Sequence, residues 1–276
     1  MKISPKTRPI GLIGHPVEHS LSPKLHNSLY EYYGLDYVYL AFDVNTEDLK
    51  RVVDAFKVLG FRGFNVTIPH KQSILPYLDE IDPEAEAIGA VNTVKIEDGR
   101  LLGYNTDGSG FVDSLKQKGC DPAGKKAALL GAGGSARSIS FYLVKEGLDL
   151  LLLVNRSRDR AQKLAEDLNR HFGKVPVEVI DFKQLAGREV DIIINTTPVG
   201  MWPKVDASPL EGFVFSSGSW VVDIIYNPLE TKLLADARRA GCQTSNGMDM
   251  LIGQAIRAVE IWTGLRPSFE ICSRIL

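Results

Sequence analysis

Cysteine is scarce in this sequence: Cys120, Cys242 and Cys272 are the only three in 276 residues. Scattered as they are, they give neither a disulfide framework nor the paired spacing of a zinc or iron–sulfur site. The five histidines, His15, His19, His26, His70 and His171, show no ligand spacing either, so no metal is expected. No charge dominates. With 32 Lys+Arg against 34 Asp+Glu the net charge is −2, which excludes the broad basic face of a nucleic-acid or anionic-membrane binder. No apolar run approaches the roughly 20 residues of a membrane span. The opening segment Met1–Arg8 is polar where a secretory signal would carry an apolar core. Repeats and low-complexity tracts are missing too. These absences leave a chain of about two ordinary domains, each long enough to bury a core, expected in a reducing cytoplasm.

Among what is present, the strongest signal is Gly131-Ala132-Gly133-Gly134-Ser135-Ala136. The apolar run Ala127–Leu130 feeds into it and an apolar-periodic helix follows, the layout of a dinucleotide-binding strand–turn–helix. Gly131 makes the tight turn, Gly133 lets backbone approach a pyrophosphate, and small Ala136 lets helix pack on strand. The anion would sit on the free N–H groups of the helix N-terminus. A second apolar run, Asp149–Val154, follows at βαβ distance. An NAD site usually ends this strand with an acid for the ribose 2′-hydroxyl. Here Asn155, Arg156, Ser157, Arg158, Asp159 and Arg160 follow instead. Guanidinium forks match phosphate geometry, so the reading is NADP. The bland alternative, a solvated helix start, is disfavoured because the helix dipole repels cations at its N-terminus.

Strand-like and helix-like segments alternate through the first hundred residues, implying a mostly parallel sheet. Pro9–Gly14 reads as a buried strand and Ser22–Tyr33 as a helix with Ser22 as N-cap and Pro23 in its first turn. Tyr37–Val44 and Arg62–Val66 read as strands, with a helix between them capped by Asn45 or Thr46. Val91–Glu97 and Arg100–Tyr104, split by Asp98-Gly99, read as a hairpin. Asn105-Thr106-Asp107-Gly108 opens a helix leading into the glycine-turn domain. The final helix, Met250–Trp262, is apolar on several faces and wants burial, so the chain is expected to return to its first domain. The fold class is therefore α/β with two domains. Residues 1–106 and 244–276 form a substrate-binding, catalytic domain, residues 107–243 a Rossmann-type NADP-binding domain, and a cleft lies between them.

Four loops share one chemistry of hydroxyls, amides, one lysine and one aspartate: Ser20-Leu21-Ser22-Pro23, Asn65-Val66-Thr67-Ile68-Pro69-His70-Lys71, Gly89-Ala90-Val91-Asn92-Thr93 and Asn105-Thr106-Asp107-Gly108. They suit a small hydroxyl-rich substrate. These loops, with residues 131–136, Asn155-Arg156-Ser157, residues 195–201, Asp223 to Pro228 and Gly247 to Ala255, resemble in order the motifs of the shikimate dehydrogenase family. That family reduces 3-dehydroshikimate to shikimate with NADPH on the route to aromatic amino acids. The resemblance implies Lys71 as catalytic acid/base with Asp107 as its partner. It implies Ser20, Ser22, Thr67, Asn92, Asp107, Tyr226 and Gln254 as substrate contacts. Gly131, Ala132, Gly133, Gly134, Ser135 and Ala136 would form the pyrophosphate turn, Asn155, Arg156, Ser157 and Arg160 the 2′-phosphate clamp, and Ile224 and Gly247 the nicotinamide wall. His70, next to the lysine, departs from the family's apolar or aromatic residue there and would tune the lysine electrostatically.

Plainer roles stand beside these. Ser22 and Asp107 also suit helix caps, Tyr226 a packing tyrosine, and Gln254 a structural amide. A sister enzyme acting on quinate with relaxed NAD/NADP use, or a non-catalytic regulatory paralogue, is the alternative function. Monomer and homodimer both remain open, with no nucleic-acid or membrane partner expected.

Overall fold

The computed structural model describes residues 3–173 and 175–276. Met1 and Lys2, the start of the polar opening segment, lie outside the described residues. The chain divides into two compact units, residues 1–106 with 252–276, and residues 107–251.

The first unit begins β1 (Arg8–Gly14), α1 (Ser22–Tyr32), β2 (Tyr37–Asp43), α2 (Leu49–Val58) and β3 (Gly63–Val66). It continues β4 (Glu80–Ile81), α3 (Pro83–Ile88), β5 (Thr93–Glu97) and β6 (Arg100–Tyr104). Its six-stranded sheet runs β2-β1-β3-β5-β6-β4. β1, β2 and β3 are parallel, whereas β5 is antiparallel to both neighbours. The reversal from β5 to β6 comes from the tight turn at Asp98 (φ 50°) and Gly99 (φ 73°), two successive left-handed residues that set a hairpin. One face of the sheet packs Ile13, Val53, Phe56, Phe64, Val66 and Val94 into a core, with Phe56 stacked on Phe61 at 4.0 Å.

Two helix starts differ from the sequence expectation. Ser22 does not cap α1: the N-cap is Leu21, no side chain caps it, and Ser22 is already helical. Neither Asn45 nor Thr46 caps α2; a 3₁₀ turn over Thr46–Asp48 leads into it from Leu49. Helix α3, absent from the sequence reading, has a conventional start, with Asp82 accepting from Glu84 N at 3.0 Å and Pro83 in its first turn.

β2 is one of the sheet's two edge strands, and an unpaired edge invites pairing with another chain. Asn27 of α1 blocks it. Its Nδ2 donates to Tyr39 O at 2.9 Å and its Oδ1 accepts from Tyr39 N at 2.8 Å, so one amide replaces a missing strand at that residue. Asn27→Ala would leave both groups of a buried residue unpaired, a cost of about 1–3 kcal/mol. The expected outcome is a lower Tm and more self-association by light scattering; an unchanged Tm would contradict the blocking role.

The second unit runs α4 (Asp107–Gln117), β7 (Lys126–Leu130), α5 (Gly134–Lys145), β8 (Leu150–Val154), α6 (Arg158–Phe172), β9 (Val177–Ile180) and α7 (Phe182–Leu185). Then follow β10 (Ile192–Asn195), β11 (Trp220–Asp223), α8 (Lys232–Arg239), β12 (Gln243–Ser245) and the start of α9 (Gly247–Thr263). Every pairing in its sheet is parallel, in the order β12-β11-β10-β7-β8-β9. This is the doubly wound dinucleotide-binding order, whose direction reverses between β7 and β10. Strands such as β8 (Leu150–Val154) are continuously apolar because helices cover both faces.

The return to the first unit falls at Ile252, inside α9, and not at residue 244. β12 pairs with β11, Ser245 Oγ donates to Asp249 at 2.8 Å, and Lys118 pairs with Asp249 at 2.7 Å, which together hold the first turn of α9 in the second unit. The rest of α9 and α10 (Phe269–Ile275) complete the first. There Trp262 is buried and donates from Nε1 to Val94 O at 2.9 Å.

Candidate active site

In the first unit the polar loops gather at one end of the sheet. β1 and β3 end in the loops carrying Ser20 and residues 67–71. Because β5 runs the other way, Asn65 of β3 lies opposite Thr93 at the start of β5, and Thr93 opposite Tyr104 at the end of β6. The reversal thus brings Asn92 and Thr106 to the end where β3 delivers Thr67 and Lys71.

A buried hydrogen-bond network ties these loops together. Asn65 Nδ2 donates to Asn92 O at 3.0 Å and to Thr93 Oγ1 at 2.9 Å, and its Oδ1 accepts from Tyr39 at 2.7 Å. Asn92 Oδ1 accepts from Thr106 N at 2.8 Å, while its Nδ2 donates to Thr106 Oγ1 at 3.0 Å. Asn105 donates to Ala90 O at 2.9 Å. Buried polar groups so fully paired make a rigid frame.

The loop bearing Lys71 is pinned from several strands. Thr67 N donates to Ile13 O and His15 N to Ile68 O, both at 2.9 Å, and Val91 N donates to Lys71 O at 2.8 Å. His70 is fully buried and its Nε2 lies 2.7 Å from Val44 O. A carbonyl only accepts, so Nε2 carries the proton; Nδ1 has no partner among the described residues. His70 thus holds the loop to the end of β2, a mechanical role distinct from the electrostatic one expected beside the lysine. Lys71 itself is half-buried, as are Ser20, Thr67 and Gln254 of α9, while Ser22 and Asn92 are buried.

In the second unit Asp107 opens α4 and is 4% exposed. The next N–H, of Gly108, donates to Ser138 Oγ of α5 at 2.7 Å, so the helix of the glycine turn caps the helix that carries Asp107. At the end of β7, Gly131 has φ +117° and a Cβ there would sit 2.4 Å from Thr196 Oγ1. Only glycine fits. Gly133 is the N-cap of α5, with open space in front of it, and Ala136 is buried against the sheet side. Gly131 N is spent on Val154 O at 2.8 Å, and Ala132, Gly133, Gly134 and Ser135 present the N–H groups of the turn at the reversal point of the sheet, an anion site.

At the end of β8, Asn155 donates from Nδ2 to Ser157 O at 2.8 Å, shaping the turn. Arg156, Arg158 and Arg160 are exposed, and among the described residues none of the three has an ion-pair partner. Arg137, by contrast, is spent on Asp167 at 2.7 Å. Three unspent guanidinium groups, with Asn155 and not an acid at the strand end, fit a cofactor with a phosphate on its 2′ position.

Asp223, unassigned in the sequence reading, anchors the next loop. It is fully buried and accepts from Ile225 N at 3.1 Å, Asn195 Nδ2 at 3.1 Å and Thr231 Oγ1 at 2.8 Å. Burial pushes its carboxyl up to about 6 while these donors hold it down. At neutral pH it is an acceptor-only carboxylate facing three donors. The loop it fixes carries Ile224 and Tyr226, both half-buried. Gly247 meets that loop: its Cβ would lie 2.0 Å from Ile224 O. The signal for Asp223 was present in the sequence as an acid at the end of an otherwise apolar strand.

Comparison with known proteins agrees with this layout. Family descriptions match along the chain: the shikimate dehydrogenase substrate binding domain at residues 12–94, shikimate / quinate 5-dehydrogenase at 114–216, and the shikimate 5′-dehydrogenase C-terminal domain at 247–274. A shikimate dehydrogenase (NADP(+)) of Moorella thermoacetica is 48% identical over 281 residues, covering 100% of this chain and 95% of that protein. The chain belongs to the shikimate dehydrogenase family. A solved structure of a shikimate dehydrogenase in complex with NADP+ superposes with a TM-score of 0.94 at 46% identity, covering 99% of this chain and 96% of the other. Another, from Thermus thermophilus in complex with NADP(H) and shikimate, gives 0.88 at 37% identity over 98% and 100%. Shikimate dehydrogenases thus share the whole two-unit α/β architecture of this chain. Among its described residues no cluster of His, Cys, Asp or Glu is arranged to hold a metal, and no helix is long and apolar enough to cross a membrane.

Proposed function

We propose that this chain reduces 3-dehydroshikimate to shikimate, reversibly, as an NADP-dependent dehydrogenase of the route to aromatic amino acids. It would work in the cytoplasm as a monomer or homodimer, with no nucleic-acid or membrane partner. The observation that carries the reading is the pinned Lys71 loop, one amine among hydroxyls and amides at the end of the first sheet.

When bound, NADPH supplies the hydride. Gly131 to Ala136 would hold its pyrophosphate, Asn155, Arg156, Ser157 and Arg160 its 2′-phosphate, and Ile224 and Gly247 would line its nicotinamide. A ketone that gains a hydride becomes an alkoxide and needs a proton. Lys71, as ammonium, donates it and stabilises the oxyanion as it forms. Asp107 orients the lysine and accepts from a ring hydroxyl. In the reverse direction Lys71 takes the proton back. Ser20 and Ser22 hold the carboxylate with Tyr226, and Thr67, Asn92 and Gln254 read the ring hydroxyls. A site built to bond such groups rejects analogues lacking them.

The test is formation of reduced nicotinamide from shikimate or quinate, each with NADP or NAD. Turnover confined to shikimate with NADP is the expected result. Comparable rates with quinate or NAD would place the chain with the dual-specificity enzymes. Binding of shikimate without turnover in any pairing would make it a regulatory paralogue.

A further inference from the structure

Asp223 ends β11 with its side chain fully buried, and Asn195 ends the neighbouring strand β10 in the same condition. The two residues lie opposite each other in the sheet. Asn195 Nδ2 donates to Asp223 Oδ1 at 3.1 Å, the same oxygen accepts from Ile225 N at 3.1 Å, and Oδ2 accepts from Thr231 Oγ1 at 2.8 Å. A carboxylate only accepts, so it dictates which end of the Asn195 amide faces it. With Nδ2 turned to Asp223, Asn195 Oδ1 points into its own loop and accepts from Thr197 N at 3.0 Å and from Thr197 Oγ1 at 2.7 Å. Thr197 Oγ1 in turn accepts from Val199 N at 3.3 Å.

One carboxylate thus shapes two loops. On its own strand it closes a turn by accepting from the backbone two residues on. Through Asn195 it folds residues 196–199, after β10. The loops meet again further along, where Trp202 N donates to Asn227 O at 3.0 Å. Their place in the sheet says what they serve. The order β12-β11-β10-β7-β8-β9 changes direction between β7 and β10, and a dinucleotide lies across such a reversal. The arginines for the 2′-phosphate follow β8, on one side of it. That phosphate belongs to the adenosine half, so the nicotinamide half falls on the other side, over the ends of β10 and β11.

We infer that Asp223 is a positioning residue for the nicotinamide ring, its carboxylate setting, directly and through Asn195, the two loops against which the ring rests. The role presupposes the NADP-dependent reaction proposed above. Fully buried, Asp223 touches neither cofactor nor substrate; it acts through the loops. Thr231 differs from the other two donors. It caps α8, accepting from Leu234 N at 3.4 Å, and its hydroxyl bonds neither loop. A ring held loosely misaligns the reacting atoms, a loss of about 10- to 100-fold in rate, whereas cofactor affinity comes mainly from charged contacts to the phosphates.

The experiment compares D223A, N195A, D223A/N195A and T231V in the full-length protein, measuring kcat for shikimate oxidation with NADP, Kd for NADPH from the emission of the bound reduced nicotinamide, and Tm. D223A and N195A are each expected to lower kcat about 10- to 100-fold, to keep Kd for NADPH within about threefold, and to alter the emission of bound NADPH. The double variant should lose less than the product of the single losses, because both residues act through one chain of bonds. T231V removes a bond to the same carboxylate and a helix cap, so its Tm should fall while kcat stays within about twofold. A kcat that holds in D223A and N195A, one that falls equally in T231V, or a Kd that rises as far as kcat falls would overturn the positioning role. Should D223A fold poorly, N195A against T231V carries the test, since each removes a single donor from Asp223. A wild-type protein without turnover would refute the proposed reaction instead. The emission of bound NADPH would then still separate D223A and N195A from T231V, and unchanged emission in all three would overturn the positioning role by itself.

Discussion

Lys71→Ala is expected to lower kcat for shikimate oxidation by about 10²–10⁴-fold, the usual contribution of a positioned acid–base group. The effect should be chemical and not structural. The loop is held by backbone bonds to β1 and by the Val91 N–H to Lys71 O, together with the His70 contact to Val44, none of which involves the lysine amine. The loop should therefore keep its place in the variant. Lys71→Arg sharpens the test. Guanidinium keeps the positive charge but does not deprotonate in proteins, so substrate affinity should be largely retained while proton transfer fails. Retention of more than about a tenth of wild-type turnover in K71A would remove the lysine from the chemistry. Measuring kcat and KM together separates the two roles, because a residue that only bound substrate would raise KM and leave kcat in place.

What the sequence made legible divides along a physical line. Features set by the backbone's own demands were readable. A glycine run between an apolar strand and a helix has few interpretations, and Gly131 adopts the positive φ that such a turn requires. The Asp98-Gly99 pair announces a tight hairpin turn, and the structure makes one. Features that depend on which side chain finds which partner were not readable. Ser22 has the right type and place for an N-cap, yet Leu21 takes that position and Ser22 is already helical. Tyr39 looks like an alternating core residue because the strand pattern reports burial and is silent about what a phenol tip meets. The unit boundary at Ile252 is hidden for the same reason: α9 is one unbroken helix, and only the tertiary bonds of Ser245 and Asp249 say where its allegiance changes. Asp82-Pro83 before α3 was a start signal in the chain itself, overshadowed because the helix spans only Pro83–Ile88.

Removing the guanidinium groups at the end of β8 is expected to change the cofactor and spare the chemistry. The three arginines are exposed and without ion-pair partners among the described residues, so Arg156→Ala with Arg160→Ala costs the fold little. Hydrogen bonds to charged groups contribute about 1.5–3 kcal/mol each when well formed, and exposure lowers that to the smaller end. Two such bonds lost from a 2′-phosphate give a KM for NADP higher by about 10²-fold, at 1.4 kcal/mol per factor of ten. KM for NAD, which lacks the phosphate, should stay within about threefold, and kcat at saturating cofactor should hold. High salt should weaken NADP more than NAD in the wild-type protein, because the pairing is partly electrostatic and exposed. An equal loss for both cofactors would mean that these residues shape the turn and do not read the phosphate. Asn155 bears on that distinction, since its bond to Ser157 O is the one that shapes the turn. Asn155→Ala, which loses that turn bond as well as a phosphate contact, should therefore weaken NAD along with NADP, unlike the arginine changes, and the contrast assigns the discrimination between the two cofactors to the guanidinium groups.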